Sequence, residues 1–208
     1  GAETLLHTVQ AVAAHRPSHA WVQLGFKNAF NSVHRCVALE ALAEHAPGVV
    51  PLAETFLCRA STFLFHGPGG GGVELRATRG VEQGDVLGPL LFALGFRRPV
   101  ERLRAALVSA LVEEENYTPE EAEAAVVLGA YLDDVLVGLP APLAARVPAL
   151  AAQAFAPAGC VVEQQKTKVW VPDGLCPAGV CDAWWSPRGL RVLGAPAKEE
   201  TPLAALGV

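Results

Sequence analysis

The chain has 208 residues, 51% hydrophobic and 18% charged, with a net charge of −5 at pH 7 and an isoelectric point near 5.7. This composition excludes a disordered polymer and predicts one globular domain with a sizeable core. It also argues against tight, sequence-blind binding of a polyanion, because such affinity rests on lysine and arginine neutralising phosphates; weak, salt-sensitive binding is the ceiling.

Strict alternation from Trp21 to Phe26 predicts a half-buried strand. Val22, Leu24 and Phe26 take the inner face, and Trp21, Gln23 and Gly25 a second face expected to be open. Ser32 is placed to cap a helix beginning near Val33, whose apolar positions Val33, Val37, Ala41 and Leu42 recur at helical spacing before Pro47-Gly48. Strands at 61–66 and 73–76 flank a Gly-Pro-Gly-Gly-Gly-Gly loop, which lacks the Gly-Lys-Ser/Thr ending of a phosphate loop. Gly80, Gly84 and Gly88 give the backbone room for close approach, and Gln83 offers both donor and acceptor. A helix starting near Gly88 is expected to break or kink at Pro99. Arg97, Arg98, Arg102 and Arg104 on it, with Arg76 and Arg79 upstream, are local basic clusters, though a solvated helix face explains the first equally well.

Glu113-Glu114-Glu115 and Thr118-Pro119-Glu120-Glu121 read as an acidic linker or short helix, the second part with capping-box chemistry. A strand, tight turn and returning strand cover 125–139. An alanine-rich helix follows from Pro142 to Phe155, bent or split by Pro148, then a strand near Leu190 to Leu193 and a weakly specified tail. The expected architecture is α+β: an antiparallel sheet carrying the strand at 21–26 beside the hairpin at 126–139, with helices on one face. No uninterrupted apolar segment reaches the length of a membrane span. Cys36, Cys58, Cys160, Cys176 and Cys181 are odd in number and contain no Cys-x-x-Cys pair, so they read as reduced thiols of an intracellular protein. The start at Gly1 and the absence of methionine point to a fragment.

The chemistry is concentrated in Tyr131-Leu132-Asp133-Asp134, which puts two carboxylates at a hairpin tip. Adjacent acids in a turn can hold a divalent cation, since hard oxygen ligands suit magnesium and substrate phosphates complete its shell. An ordinary solvated turn explains the tetrapeptide as readily.

Its context carries more. Gln23 to Arg35, with Asn28-Ala29-Phe30-Asn31-Ser32-Val33 inside it, is followed by Arg79 to Phe92, Tyr131 to Asp134, Gly159 to Thr167 and Val192 to Pro196. These fall in the order and spacing of the five motifs of a reverse transcriptase palm, and Gly1 to Thr4 is similar to the fingers-side segment before it. The chain thus resembles the reverse transcriptases of non-LTR-type retroelements over nearly its whole length. The resemblance implies a polymerase palm-like antiparallel sheet with partial fingers and no thumb. Residues 1–19 would be the fingers-side segment, 20–172 the palm with a fingers-type hairpin at about 60–77, and 173–208 a C-terminal extension holding the fifth motif. It implies RNA-directed DNA synthesis by two-metal nucleotidyl transfer, with Mg2+, an RNA or DNA template-primer and a dNTP. Asp133 and Asp134 would be the metal ligands, and Lys166 would reach and protonate the leaving pyrophosphate. Phe30 would stack under the incoming sugar, with Lys27, Gln83 and Gly84 also against substrate. On the residues alone, Phe30 fits a core aromatic and Lys166 a solvated strand edge equally well.

One position departs from the pattern: Gly25 stands where the first motif has its aspartate. Glycine within a strand costs several tenths to about 1 kcal/mol relative to alanine and adds no packing, so Gly25 reads as a lost acid rather than a structural optimum. Glu163 and Asp85 are the acids that could approach to replace it. Three functions stay open. The first is a reverse transcriptase domain, impaired by Gly25. The second is a retroelement-derived non-catalytic binding or structural subunit with protein partners in a larger assembly. The third is an unrelated palm-like nucleotide enzyme such as a cyclase, against which Gly80 to Phe92 argues.

Overall fold

The computed structural model describes residues 1–67, 72–82 and 84–197. Its centre is a four-stranded antiparallel sheet in the order β4-β5-β1-β6. The strands are β1 (His19–Leu24), β4 (Val127–Tyr131), β5 (Asp134–Pro140) and β6 (Lys168–Trp170). As predicted, β1 runs beside the acid-tipped hairpin, with Leu24 opposite Val135 and Trp21 opposite Gly138.

Alternation then sorts the side chains. Val22, Leu24, Val135, Val137 and Val169 face a large core built with α3 (Arg35–His45), α5 (Gly88–Glu115) and α7 (Val147–Phe155). The shorter helices α2 (Ala29–Ser32), α4 (Val50–Leu57) and α6 (Pro119–Ala125) contribute Ala29, Ala53, Leu57, Ala122 and Ala125 to the same core. The second face is not open. Trp21, Leu136 and Trp170 are buried there under Val9 and Ala13 of α1 (Ala2–His15) and under Leu190, Val192 and Ala197. The last three belong to the segment holding the small hairpin of β7 (Arg191–Val192) and β8 (Ala195–Pro196). Two tryptophans on one face carry too much apolar area to leave wet, and the two ends of the described chain supply the cover.

Several local expectations are corrected by tertiary context. Ser32 is not a cap: it ends α2 and donates to the Lys27 carbonyl at 3.2 Å, while α3 begins after His34 without a side-chain cap. Helix α5 passes through Pro99 without ending, and Phe92, Phe96 and Leu103 on either side are buried. Glu113, Glu114 and Glu115 belong to the last turn of α5 rather than to a linker. The capping box does form, with Thr118 and Glu121 bonding reciprocally at the start of α6. Pro148 splits the alanine-rich segment into a 3-10 turn at Ala141–Arg146 and α7, in whose first turn it sits.

A separate two-stranded ribbon pairs β2 (Ser61–His66) with β3 (Gly72–Ala77). It is tied to the body through Arg35, a buried side chain whose bonding partners are carbonyls and one hydroxyl. Its Nε donates to Gly80 O at 2.8 Å, one terminal nitrogen donates to Arg59 O at 2.6 Å and Leu57 O at 3.4 Å, and the other reaches Ser61 Oγ at 3.3 Å. Gly80 must be glycine: its φ is +80°, and a Cβ would lie 2.5 Å from the Asn31 backbone.

Candidate active site

The hairpin tip is a two-residue turn, Leu132-Asp133, between Tyr131 and Asp134. Leu132 has φ +53°, at the turn position where glycine is usual in type II′ hairpins. Asp133 is exposed at the tip and Asp134 is half-buried at the first strand position. Continuing the β1–β5 register one step past Leu24–Val135 sets residue 25 opposite Asp134, on the face that also carries Gln23 and Trp21. Burial pushes the Asp134 carboxyl above the ordinary aspartate range, Asp133 adds to the shift, and Gln23 partly offsets it. Folding therefore makes Asp134 easier to protonate than an ordinary aspartate. This acid stabilises the fold at low pH and loses that contribution as pH rises from the unfolded pKa through the folded one. Asp134→Asn is expected to flatten that part of the stability profile and to raise stability at neutral pH, as measured by urea unfolding across pH 3 to 7.

The surroundings of Gly25 differ from the sequence expectation. Val162 bridges Phe26, and Lys168 pairs with Gln23, so residues 163–167 stand opposite only residues 24 and 25. The surplus backbone must leave the sheet. Glu163 N donates to Gly25 O at 2.7 Å, Lys27 N donates to Val161 O at 2.9 Å, and a 3-10 turn at Gln164–Lys166 curls back over the strand. The buried Thr167 closes it, its hydroxyl donating to Glu163 O at 3.2 Å. A Cβ added at residue 25 would clash with the Cβ of Lys166 and lie 3.3 Å from both its Cα and its carbonyl carbon. Gly25 therefore does have a structural reason: the first carbon of any side chain there would clash with Lys166 Cβ, with the Lys166 backbone close behind it.

The other expected site residues divide. Lys166 is exposed, with Nζ 3.4 Å from Phe26 O, to which it donates. Phe30 lies parallel on Phe92, centroids 4.1 Å apart and planes at 6°, at the margin of the core. Lys27 is exposed, and its amide makes the bond to Val161. Gly84 is exposed with positive φ and open space beside it, whereas Gln83 lies outside the described residues. Asp85 Oδ1 accepts from Leu87 N at 3.0 Å and is spent on starting α5. Among the described residues no three of His, Cys, Asp and Glu gather to hold a metal ion. Asp133 and Asp134 are the two acids at the tip, and position 25, opposite Asp134, carries no side chain. Arg35 and the Lys166 turn are the residues that sequence reasoning undervalued; the arginine after the first motif was visible, but its carbonyl partners are scattered between residues 57 and 80.

No protein-family model matches the chain. Over 170 residues it is 31% identical to the retrotransposable element SLACS 132 kDa protein of Trypanosoma brucei gambiense, an alignment that covers 78% of this chain and 13% of that protein. In three dimensions it is similar to apo telomerase from Candida tropicalis, with TM-score 0.54 and 12% identity over 80% of this chain and 31% of that one. Telomerase from Candida albicans in complex with the TWJ fragment of telomeric RNA gives TM-score 0.56 and 13% identity, over 81% and 29%. The chain spans about an eighth of the length of the curated relative it matches. The acid-tipped hairpin beside β1, the similarity to telomerase structures and the kinship with a retrotransposon protein agree: this chain has a reverse transcriptase-like fold and is related in sequence to a retrotransposon protein.

Proposed function

We propose that this domain descends from a retroelement polymerase and no longer catalyses nucleotidyl transfer at an appreciable rate, acting instead as a nucleic-acid-binding or structural unit inside a larger intracellular polypeptide or assembly. The observation that supports this reading is the occupation of position 25: glycine stands there, and Lys166 Cβ crowds the place where the first carbon of an acidic side chain would go. Two-metal nucleotidyl transfer would need carboxylates from both strands to hold Mg2+, and here Asp133 and Asp134 come from the hairpin while β1 offers none at position 25. Binding of Mg2+ at Asp133 and Asp134 is weak in this reading, because position 25, which faces Asp134 across the sheet, supplies no carboxylate.

What this chain's own residues retain is a surface. Lys27, Gly84 and the Asp133 tip are exposed, and Arg76 and Arg79 line a cavity of about 580 Å³ with Arg35 at its wall. Template-primer and dNTP are the ligands this geometry would meet, and the telomerase relative bound to telomeric RNA favours RNA among them. With a net charge of −5, that contact is weak and fades as salt rises. Among the described residues no helix is long and apolar enough to cross a membrane. Primer extension on an RNA template with Mg2+ or Mn2+ tests the proposal. Product at background level is expected, a deficit of several orders of magnitude set by a few kcal/mol of lost transition-state stabilisation. Processive synthesis by the unaltered chain would overturn it.

A further inference from the structure

The ribbon of β2 and β3 pairs with no third strand among the described residues. Its register puts Phe63 opposite Leu75 and Phe65 opposite Val73 on one face. These four side chains are 44% to 62% exposed. Natural sheet edges are blunted by lysine, proline, a bulge or a covering element. Among the described residues this one has none of them between Gly72 and Ala77, and its register is unbroken from Ser61–Ala77 to His66–Gly72. The charged side chains of β3 are Glu74 and Arg76, which share the opposite face, touch each other at only 4.0 Å and remain 57% and 70% exposed.

We propose that β3 is an interaction edge for a second copy of this chain, the two β3 strands pairing antiparallel about a two-fold axis at Leu75. That register sets Glu74 opposite the partner's Arg76 and Arg76 opposite the partner's Glu74, so two opposite-charge cross-strand pairs form at once. It also satisfies the unpaired backbone groups of the edge and joins Phe63 and Leu75 to the partner's Leu75 and the partner's Phe63 in one apolar row across four strands. The β2 edge offers nothing equivalent: pairing about Leu64 opposes Thr62 to the partner's His66 and creates no ion pair. Charge complementarity is therefore specific to β3.

The test is analytical ultracentrifugation of this chain, freed of nucleic acid, with two single variants. The unaltered chain is expected to dimerise. Glu74→Arg and Arg76→Glu, each alone, set like charges opposite one another and weaken self-association by roughly tenfold or more. Mixed in equal amounts, the two variants restore complementary pairs between chains, and a heterodimer of near-original affinity is expected. That restoration separates pairing between chains from the contact of Glu74 with Arg76 within one strand. Overturning results are a monomeric unaltered chain at all accessible concentrations, a dimer indifferent to both substitutions, or folded variants whose mixture stays monomeric. A chain that stays monomeric yet binds single-stranded RNA more tightly with Glu74→Arg and less with Arg76→Glu would assign the ribbon to nucleic acid and overturn the proposal as well.

Discussion

Gly25→Ala is expected to destabilise the domain by about 2 to 3 kcal/mol, as a methyl forced into a packed site does. The atom it strikes is not a side-chain tip that can swing away but Lys166 Cβ, fixed to a turn that three backbone hydrogen bonds and the Thr167 hydroxyl hold in place. Gly25→Asp is expected to cost at least as much, because it adds a carboxylate beside Asp134, whose own ionisation burial already disfavours. Restoring the motif's acid alone therefore yields a less stable protein and no gain in primer extension. Adding Lys166→Gly to Gly25→Asp removes the struck atom, and a double-mutant cycle in urea should recover a large part of the loss. Gly25→Asp at unchanged or increased stability would show that the turn yields freely, and the packing reason for the glycine would then fail.

Arg35→Ala should be the most damaging substitution outside the hydrocarbon core, at about 3 kcal/mol or more. Alanine leaves the carbonyls of Gly80, Leu57 and Arg59 without their buried donor, and Ser61 without its partner. Arg35→Lys should recover only a minor share, since one ammonium cannot point in the three directions that the guanidinium fork spans. Because the lost bonds link α3 to the end of α4, the start of β2 and the loop at Gly80, hydrogen exchange should rise in the ribbon before the sheet opens. Uniform exchange across ribbon and sheet in Arg35→Ala would instead make Arg35 a general core residue rather than the tie between them.

The elements governed by local periodicity were readable in the sequence. The alternation of Trp21 to Phe26, the paired apolar runs around Asp133-Asp134 and the reciprocal Thr118 and Glu121 each encode their geometry within a few residues. The motif order carried the fold, which the retrotransposon protein and the telomerase structures bear out. What escaped depended on pairing over long distances. That Trp21 is covered follows from Val9 at one end and Leu190 at the other meeting on its face. That Gly25 is a packing residue follows from a register mismatch with residues near 165, which no window around position 25 contains. Pro99 was expected to interrupt or kink a helix on intrinsic propensity; α5 is not interrupted there, and burial of Phe96 and Leu103 outweighs the missing hydrogen bond.

Helix α1 and the β7–β8 hairpin share the back of the sheet, where Gln10 Nε2 donates to Pro196 O at 3.4 Å. Helix α1 and this hairpin are thus anchored to the same thin layer. Tension applied to both ends of the domain would load that layer first and peel it away, baring Trp21 and Trp170, while the helical side of the sheet still held.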